Sequence, residues 1–258
     1  QAGLRLNAFD GSILHTFKEP TWIFPNLNEI SPYITNTLLF IEDRNLLNPL
    51  KPSHNPAVEW DRFLKATNDL VLKKVFGHRD VPGGSTLATQ IEKFRHSPDG
   101  LTLKPIQKIT QMGSASLRAY QHSLDTLEAR KGIALDYINS VPLAALPGYG
   151  EVFGLGDGLW AYYGEDPKKL NDLLKMPVDP ENPSILLEQA KAYKEVLSLF
   201  LAHRRPTEYL MENPSILEEQ VSKYLPLLFQ EGIIPYPLFA AALETKITHR
   251  RLQILGRE

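Results

Sequence analysis

The sequence of 258 residues contains no cysteine. That absence excludes disulfides and thiolate metal sites, and it leaves the compartment open. There is no apolar run long enough to cross a bilayer, and the N-terminus lacks the basic-then-apolar layout of a signal peptide. The chain begins at Gln1 rather than Met and reads as an excised or processed piece. An excess of one charge is missing as well. Twenty-eight basic and 30 acidic residues leave a net charge of −2, without the basic bias of a nucleic-acid binder, so no nucleic-acid partner is expected. No internal repeat and no low-complexity tract is expected. What is present is ordinary for a globular protein, with 43% hydrophobic and 22% charged residues, enough to build a real core in one large domain or two small ones.

The pattern is mainly helical. Between Leu4 and Phe17 the turn signal Asp10-Gly11 separates alternating segments and predicts a short hairpin. Residues 1–30 are therefore a hairpin and lead-in, and 31–258 the helical domain. Ser31-Pro32 supplies an N-cap and a first-turn proline, followed by the stripe Ile34, Leu38, Ile41. Ser85 is placed to cap a helix with Leu87, Ile91 and Phe94 on one face. Ile133, Ala134, Tyr137, Ile138 and Val141 mark another. Asn213-Pro214 opens a helix that Pro226 is expected to kink or stop, with Gly232 as the exit. Pro177 to Pro183 and Pro235 to Pro237 read as connections.

Three places carry chemistry. Glu42, in Phe40-Ile41-Glu42-Asp43-Arg44, lies one helical turn beyond Leu38 at the edge of the apolar stripe. A carboxylate there is partly desolvated, which suits a general base; the plainer alternative is a surface Glu-Asp-Arg cluster. Gly83-Gly84-Ser85-Thr86 leads into a helix whose Thr86, Gln90 and Lys93 share a face. Glycines before a helix N-terminus suit a phosphate, though the pattern is not a Walker loop and equally fits a glycine turn with a serine cap. In Leu135-Asp136-Tyr137-Ile138-Asn139 the Tyr and Ile read as core, and Asn139 as a cap or a residue that orders a loop. The glycines at 148, 150, 154, 156, 158 and 164 permit close backbone packing or approach to a ligand.

In this order the segments resemble the peptidoglycan glycosyltransferase domain of bifunctional penicillin-binding proteins and their monofunctional relatives. That family's E-D-x-x-F reads here as Glu42-Asp43-Arg44-Asn45-Leu46, followed by His54. Its G-G-S-T-I-T-Q-Q-L-x-K-N reads as Gly83 through Phe94, and its I-L-x-x-Y-L-N as Ile133 through Asn139. Gly154-Leu155 through Tyr162-Tyr163-Gly164-Glu165 follows G-V-x-x-A-A-x-x-Y-F-G-K, with Glu165 in place of the lysine. The family's R-K-x-x-E is matched by Gln107-Lys108-Ile109-Thr110-Gln111, which keeps one cation and replaces both the arginine and the glutamate.

The resemblance implies a mainly α, lysozyme-like domain with a cleft. It implies a glycosyltransferase that polymerises cell-wall glycan, and so supports cell shape, from lipid II with inversion and release of lipid pyrophosphate. Glu42 matches the base and Gln111 the second catalytic position. Asp43, Gly83, Gly84, Ser85, Thr86, Gln90, Lys93, Lys108 and Asn139 match substrate-binding positions. No residue is nominated as a metal ligand, although Mg2+ or Mn2+ suits a diphosphate leaving group. The partners implied are lipid II, the growing strand, a membrane surface reached through an anchor outside this chain, and cell-wall synthesis proteins. The place implied is the extracytoplasmic (periplasmic) face of the bacterial cytoplasmic membrane. Two other readings stay open: a degenerate domain that binds lipid-linked precursor, glycan or a cell-wall protein without turnover, and a hydrolase using Glu42 as its acid.

Overall fold

A computed structural model describes residues 3–10, 13–18, 22–57, 87–96, 113–121, 123–147 and 149–248. These residues are mainly helical. The chain divides into two compact units, one of residues 1–41 with 137–258 and one of residues 42–136. The division does not fall between residues 30 and 31, because the lead-in is fastened to the later chain. Trp22 N–H donates to Asp157 at 2.9 Å, and Asn171 accepts from Ser31 N–H while donating to the Glu29 carbonyl.

In the first unit, β1 (Gly3–Asn7) pairs antiparallel with β2 (Ile13–Lys18), with an irregularity at Leu6/Asn7. Helix α1 spans Pro32–Glu42, with Ile34 and Leu38 fully buried and Ile41 half-buried. Ser31 stands at its start, but its hydroxyl donates to the Leu174 carbonyl rather than capping the helix. The later helices are α5 (Gly154–Gly158, continued by a wider turn at Leu159–Tyr163), α6 (Pro167–Lys175), α7 (Pro183–Ala202), α8 (Pro214–Gln230) and α9 (Tyr236–Glu244).

The axis of this unit is α7, which packs against α5, α6, α8 and α9. From Gln189 to Ala202 nearly every residue is buried, as expected for a helix enclosed on all sides. Tyr193 donates to or accepts from Thr37 of α1 at 2.7 Å, and Leu217, Val221, Leu225 and Leu238 close the core. Each such side chain contributes roughly 1.5–3 kcal/mol on burial.

Three sequence expectations are corrected here. Pro226 does not stop α8, which runs on to Gln230. Leu225 and Leu228, fully buried on either side of it, hold the helix against the missing N–H. Pro235 and Pro237 are not a mere connection but open α9, where a first-turn N–H has no helical partner to lose. The chain also holds a short repeat: Asn182 to Gln189 and Asn213 to Gln220 both read N-P-S-I-L-x-E-Q. Each opens a helix, α7 and α8. Asn182 caps by accepting from Ile185 N–H, whereas Asn213 makes no side-chain cap bond.

In the second unit, α2 spans Leu87–His96, residues 113–119 form α3, and α4 begins at Leu127 and runs to Ser140. Asp125 accepts from Leu127 N–H and so marks this start, earlier than the stripe at Ile133 predicts. Ala57, Ala88 and Ala115 form a small core against Ile133.

Candidate active site

The end of α1 carries the carboxylate that the sequence singles out. Glu42 is half-buried, and its Oε2 accepts from Gln90 Nε2 at 3.2 Å. Gln90 is on α2, set by Leu87, Ala88 and Ile91, whose burial turns the helix so that Gln90 is left half-buried beside Glu42. The first two motifs, 48 residues apart, thus meet through a charged hydrogen bond. An amide donor at this distance helps fix the orientation of the carboxylate.

Asp43 is completely buried. Its Oδ1 accepts from Asn45 N–H at 3.1 Å, so it shapes the turn after α1 from the interior. The segment beyond that turn is held by a residue the sequence reading did not single out, Arg130. Its side chain is fully buried. Nη1 donates to the carbonyls of Leu46 (2.7 Å) and Asn48 (3.3 Å), Nη2 to those of Lys51 (2.9 Å) and Pro52 (3.3 Å), and Nε to Thr126 Oγ1 (3.0 Å). Burial lowers the guanidinium from its ordinary value, opposed by the charges of Asp125, Tyr120 and Asp43. Its signal lay in the spacing: Arg130 is four residues before Ala134, on the apolar stripe that continues to Tyr137 and Ile138. An arginine on a core face is either paired or absent.

Asn139 is the loop-ordering residue of the two readings offered for it. Its Oδ1 accepts from Phe24 N–H and its Nδ2 donates to the Phe24 carbonyl, both at 2.8 Å. Gly154 meets the same residue from the other side. It has φ +71°, and a Cβ there would overlap the Asn139 carbonyl. At Gly156 a Cβ would overlap the Trp22 carbonyl, so Gly154 and Gly156 serve close packing.

The expected phosphate-binding residues Gly83, Gly84, Ser85 and Thr86, together with Lys108 and Gln111, lie outside the described residues. Lys93 is on α2, with its side chain also outside them. Among the described residues, no group of acidic or histidine side chains is spaced to hold a metal ion, and no helix is long and apolar enough to cross a membrane.

No curated protein is a significant match to the chain. The family model described as transglycosylase matches residues 10–199. That span is most of the chain and takes in Glu42, Gln90, Arg130 and Asn139, in a mainly helical fold. Peptidoglycan transglycosylases transfer glycosyl groups to build cell-wall glycan outside the cytoplasm, and this chain belongs to the transglycosylase family.

Proposed function

We propose that the chain polymerises glycan strands from lipid II. The 4-hydroxyl of the acceptor disaccharide attacks the anomeric carbon of the lipid-pyrophosphate donor. The new glycosidic bond forms with inversion as the bond to the phosphate oxygen breaks. Glu42 takes the hydroxyl proton, and lipid pyrophosphate leaves. The observation that carries this reading is the Gln90–Glu42 hydrogen bond, which ties the candidate base to the helix that follows the Gly83-Gly84-Ser85-Thr86 sequence. Gly83 to Thr86, Lys93 and Lys108 would offset the charge that develops on the leaving group. Mg2+ or Mn2+ enters this reading as an ion carried by the substrate's diphosphate. Because the substrate is lipid-linked, the work is done at the extracytoplasmic membrane face, beside other cell-wall synthesis proteins.

A second reading is favoured by one observation. Gln107 and Gln111 stand where the family carries arginine and glutamate. A neutral amide still donates to a phosphate oxygen, so binding survives more easily than turnover. This describes a domain that holds precursor or glycan without polymerising it. Labelled lipid II separates the two. Polymer from the wild type and none from Glu42→Gln supports the transferase. Binding without polymer from the wild type supports the second reading.

A further inference from the structure

The first unit holds a second built site, separate from Glu42. A cavity of about 430 Å3 opens between α6 and α7. Its rim carries Glu188 and Lys169, both exposed, and its inner wall Leu170 and Ala192, both buried. Glu188, Lys191 and Glu195 follow one another along one face of α7. Lys191 spends its charge on Glu165, at 2.6 Å.

Glu195 is the inner end of this cavity. It is 1% exposed, and among the described residues neither carboxylate oxygen has a hydrogen-bond donor. Its nearest cation, Lys191, stands 3.6 Å from Oε1, too far for a hydrogen bond. A buried carboxylate with no donor is costly, and the cost is removed by any group that brings N–H donors and positive charge. The surroundings define that group. Three carboxylates against two lysines disfavour an anion. The carboxylates are not spaced for a metal ion. The leucine and alanine walls suit methylene groups. Glu165, where the resembling pattern has lysine, makes the cavity acidic in this chain.

We propose that this cavity binds a primary alkylammonium group, with the ammonium donating to Glu195 and its methylenes against Leu170 and Ala192. The proposal is independent of the glycosyl-transfer reading. The ammonium has two sources, a free amine or a lysine side chain of a peptide. Both present the same head on the same aliphatic stem.

Titration calorimetry of the full chain at pH 8 tests it, with n-butylammonium chloride, its neutral counterpart 1-butanol, and Nα-acetyl-lysine methylamide as probes. Butylammonium is expected to bind, 1-butanol to give no heat, and Glu195→Gln to weaken butylammonium by about tenfold or more through loss of a charge-assisted hydrogen bond. Circular dichroism of Glu195→Gln checks that it is folded, and this near-isosteric change removes the charge and turns one acceptor oxygen into an NH2 donor. If acetyl-lysine methylamide binds more tightly than butylammonium, the source is a peptide; if more weakly, a free amine. No heat from butylammonium on the wild type overturns the proposal. So does equal affinity for the Gln variant, or equal binding of 1-butanol.

Discussion

Replacing Arg130 by methionine keeps the length and apolar stem of the side chain and removes its donors and charge. The structure sets the size of the effect. Two of the five hydrogen bonds are short, to the Leu46 and Lys51 carbonyls at 2.7 and 2.9 Å, and two are marginal at 3.3 Å. The acceptors are not equally exposed to the loss. Lys51 O also accepts from His54 N–H, and Pro52 O from Thr126 N–H. These keep a partner, as does Asn48 O, which accepts from Lys51 N–H, whereas among the described residues no other donor is seen at Leu46 O. Charged hydrogen bonds contribute about 1.5–3 kcal/mol each, so Arg130→Met should destabilise the second unit by about 3–5 kcal/mol. Arg130→Lys should recover roughly half, because one ammonium nitrogen cannot reach both ends of a fork. Urea denaturation measures the stability, and hydrogen exchange across residues 43–52 should rise before global unfolding. Glu42, the proposed base, sits directly before that segment, so polymerisation is expected to fall with it. If Arg130→Met lies within about 1 kcal/mol of the wild type, in the range of ordinary surface substitutions, the network is ornamental and this reasoning is refuted.

Other outcomes follow from single sites. Gly154→Ala should lower the melting temperature sharply, since it adds left-handed strain to a clash with the Asn139 backbone, together on the order of 3 kcal/mol; an unchanged melt would show that the Asn139 backbone yields. Burial raises the Glu195 carboxyl to about 7, with Lys191 and Glu165 the charged groups facing it and Tyr163 beyond. The folded state therefore binds a proton that the unfolded state has lost. Stability from this group is present below pH 4.5 and is lost as pH rises to about 7, on the order of 3 kcal/mol in all. Glu195→Gln should flatten that slope in stability curves measured from pH 4.5 to 8, and a parallel slope in the variant would remove Glu195 as its source. Gln107→Arg with Gln111→Glu should raise polymerisation of lipid II. The two must be changed together, because a lone carboxylate would repel the diphosphate; a folded, substrate-binding but inert double variant would place the defect elsewhere.

Helix starts with local chemistry were legible in the sequence. Ser31-Pro32 and Asn213-Pro214 open α1 and α8 where the first-turn prolines place them, and Gly232, at φ +70°, ends α8 with the left-handed residue that a helix exit favours. What was not legible depends on distant partners. Ser31 gives its hydroxyl to Leu174, 143 residues away, rather than to its own helix. Pro226 reads as a stop until the burial of Leu225 and Leu228 is known. Lys194 and Glu195 lie in the buried stretch of α7 from Gln189 to Ala202. Lys194 is satisfied there by Glu218 and the Thr245 carbonyl, a pairing that no spacing announces. For the site, residue type and motif order were enough to nominate Glu42 and Gln90. Their direct hydrogen bond was not, because it depends on how α1 and α2 are brought together.

The segments that resemble the family do not all speak to the same question. Helix α4 carries two clamps nine residues apart: Arg130 fastens the carbonyls of residues 46–52, and Asn139 fastens Phe24. Tyr137 and Ile138 between them are core. In this segment, Arg130 and Asn139 both make side-chain hydrogen bonds with backbone of the chain itself. Its persistence therefore reports that the fold is kept, and a chain that had lost turnover would need it just as much. The same holds for Gly154 and Gly156, whose replacement would drive a side chain into backbone. In the proposed reaction, the Glu42–Gln90 pair and the segments around residues 83–93 and 107–111 are the ones that bear on chemistry. Of these, the first keeps its carboxylate and amide, the second its glycines and lysine, and the third has lost both of its distinguishing charges. The match over residues 10–199 is thus strongest as a statement of fold, and the decision between polymerase and binding domain turns on the few residues around the departing diphosphate. A base facing a leaving-group side that keeps its lysines but lacks the arginine and glutamate can still take a proton from a bound hydroxyl, but the bond to phosphate then breaks more slowly.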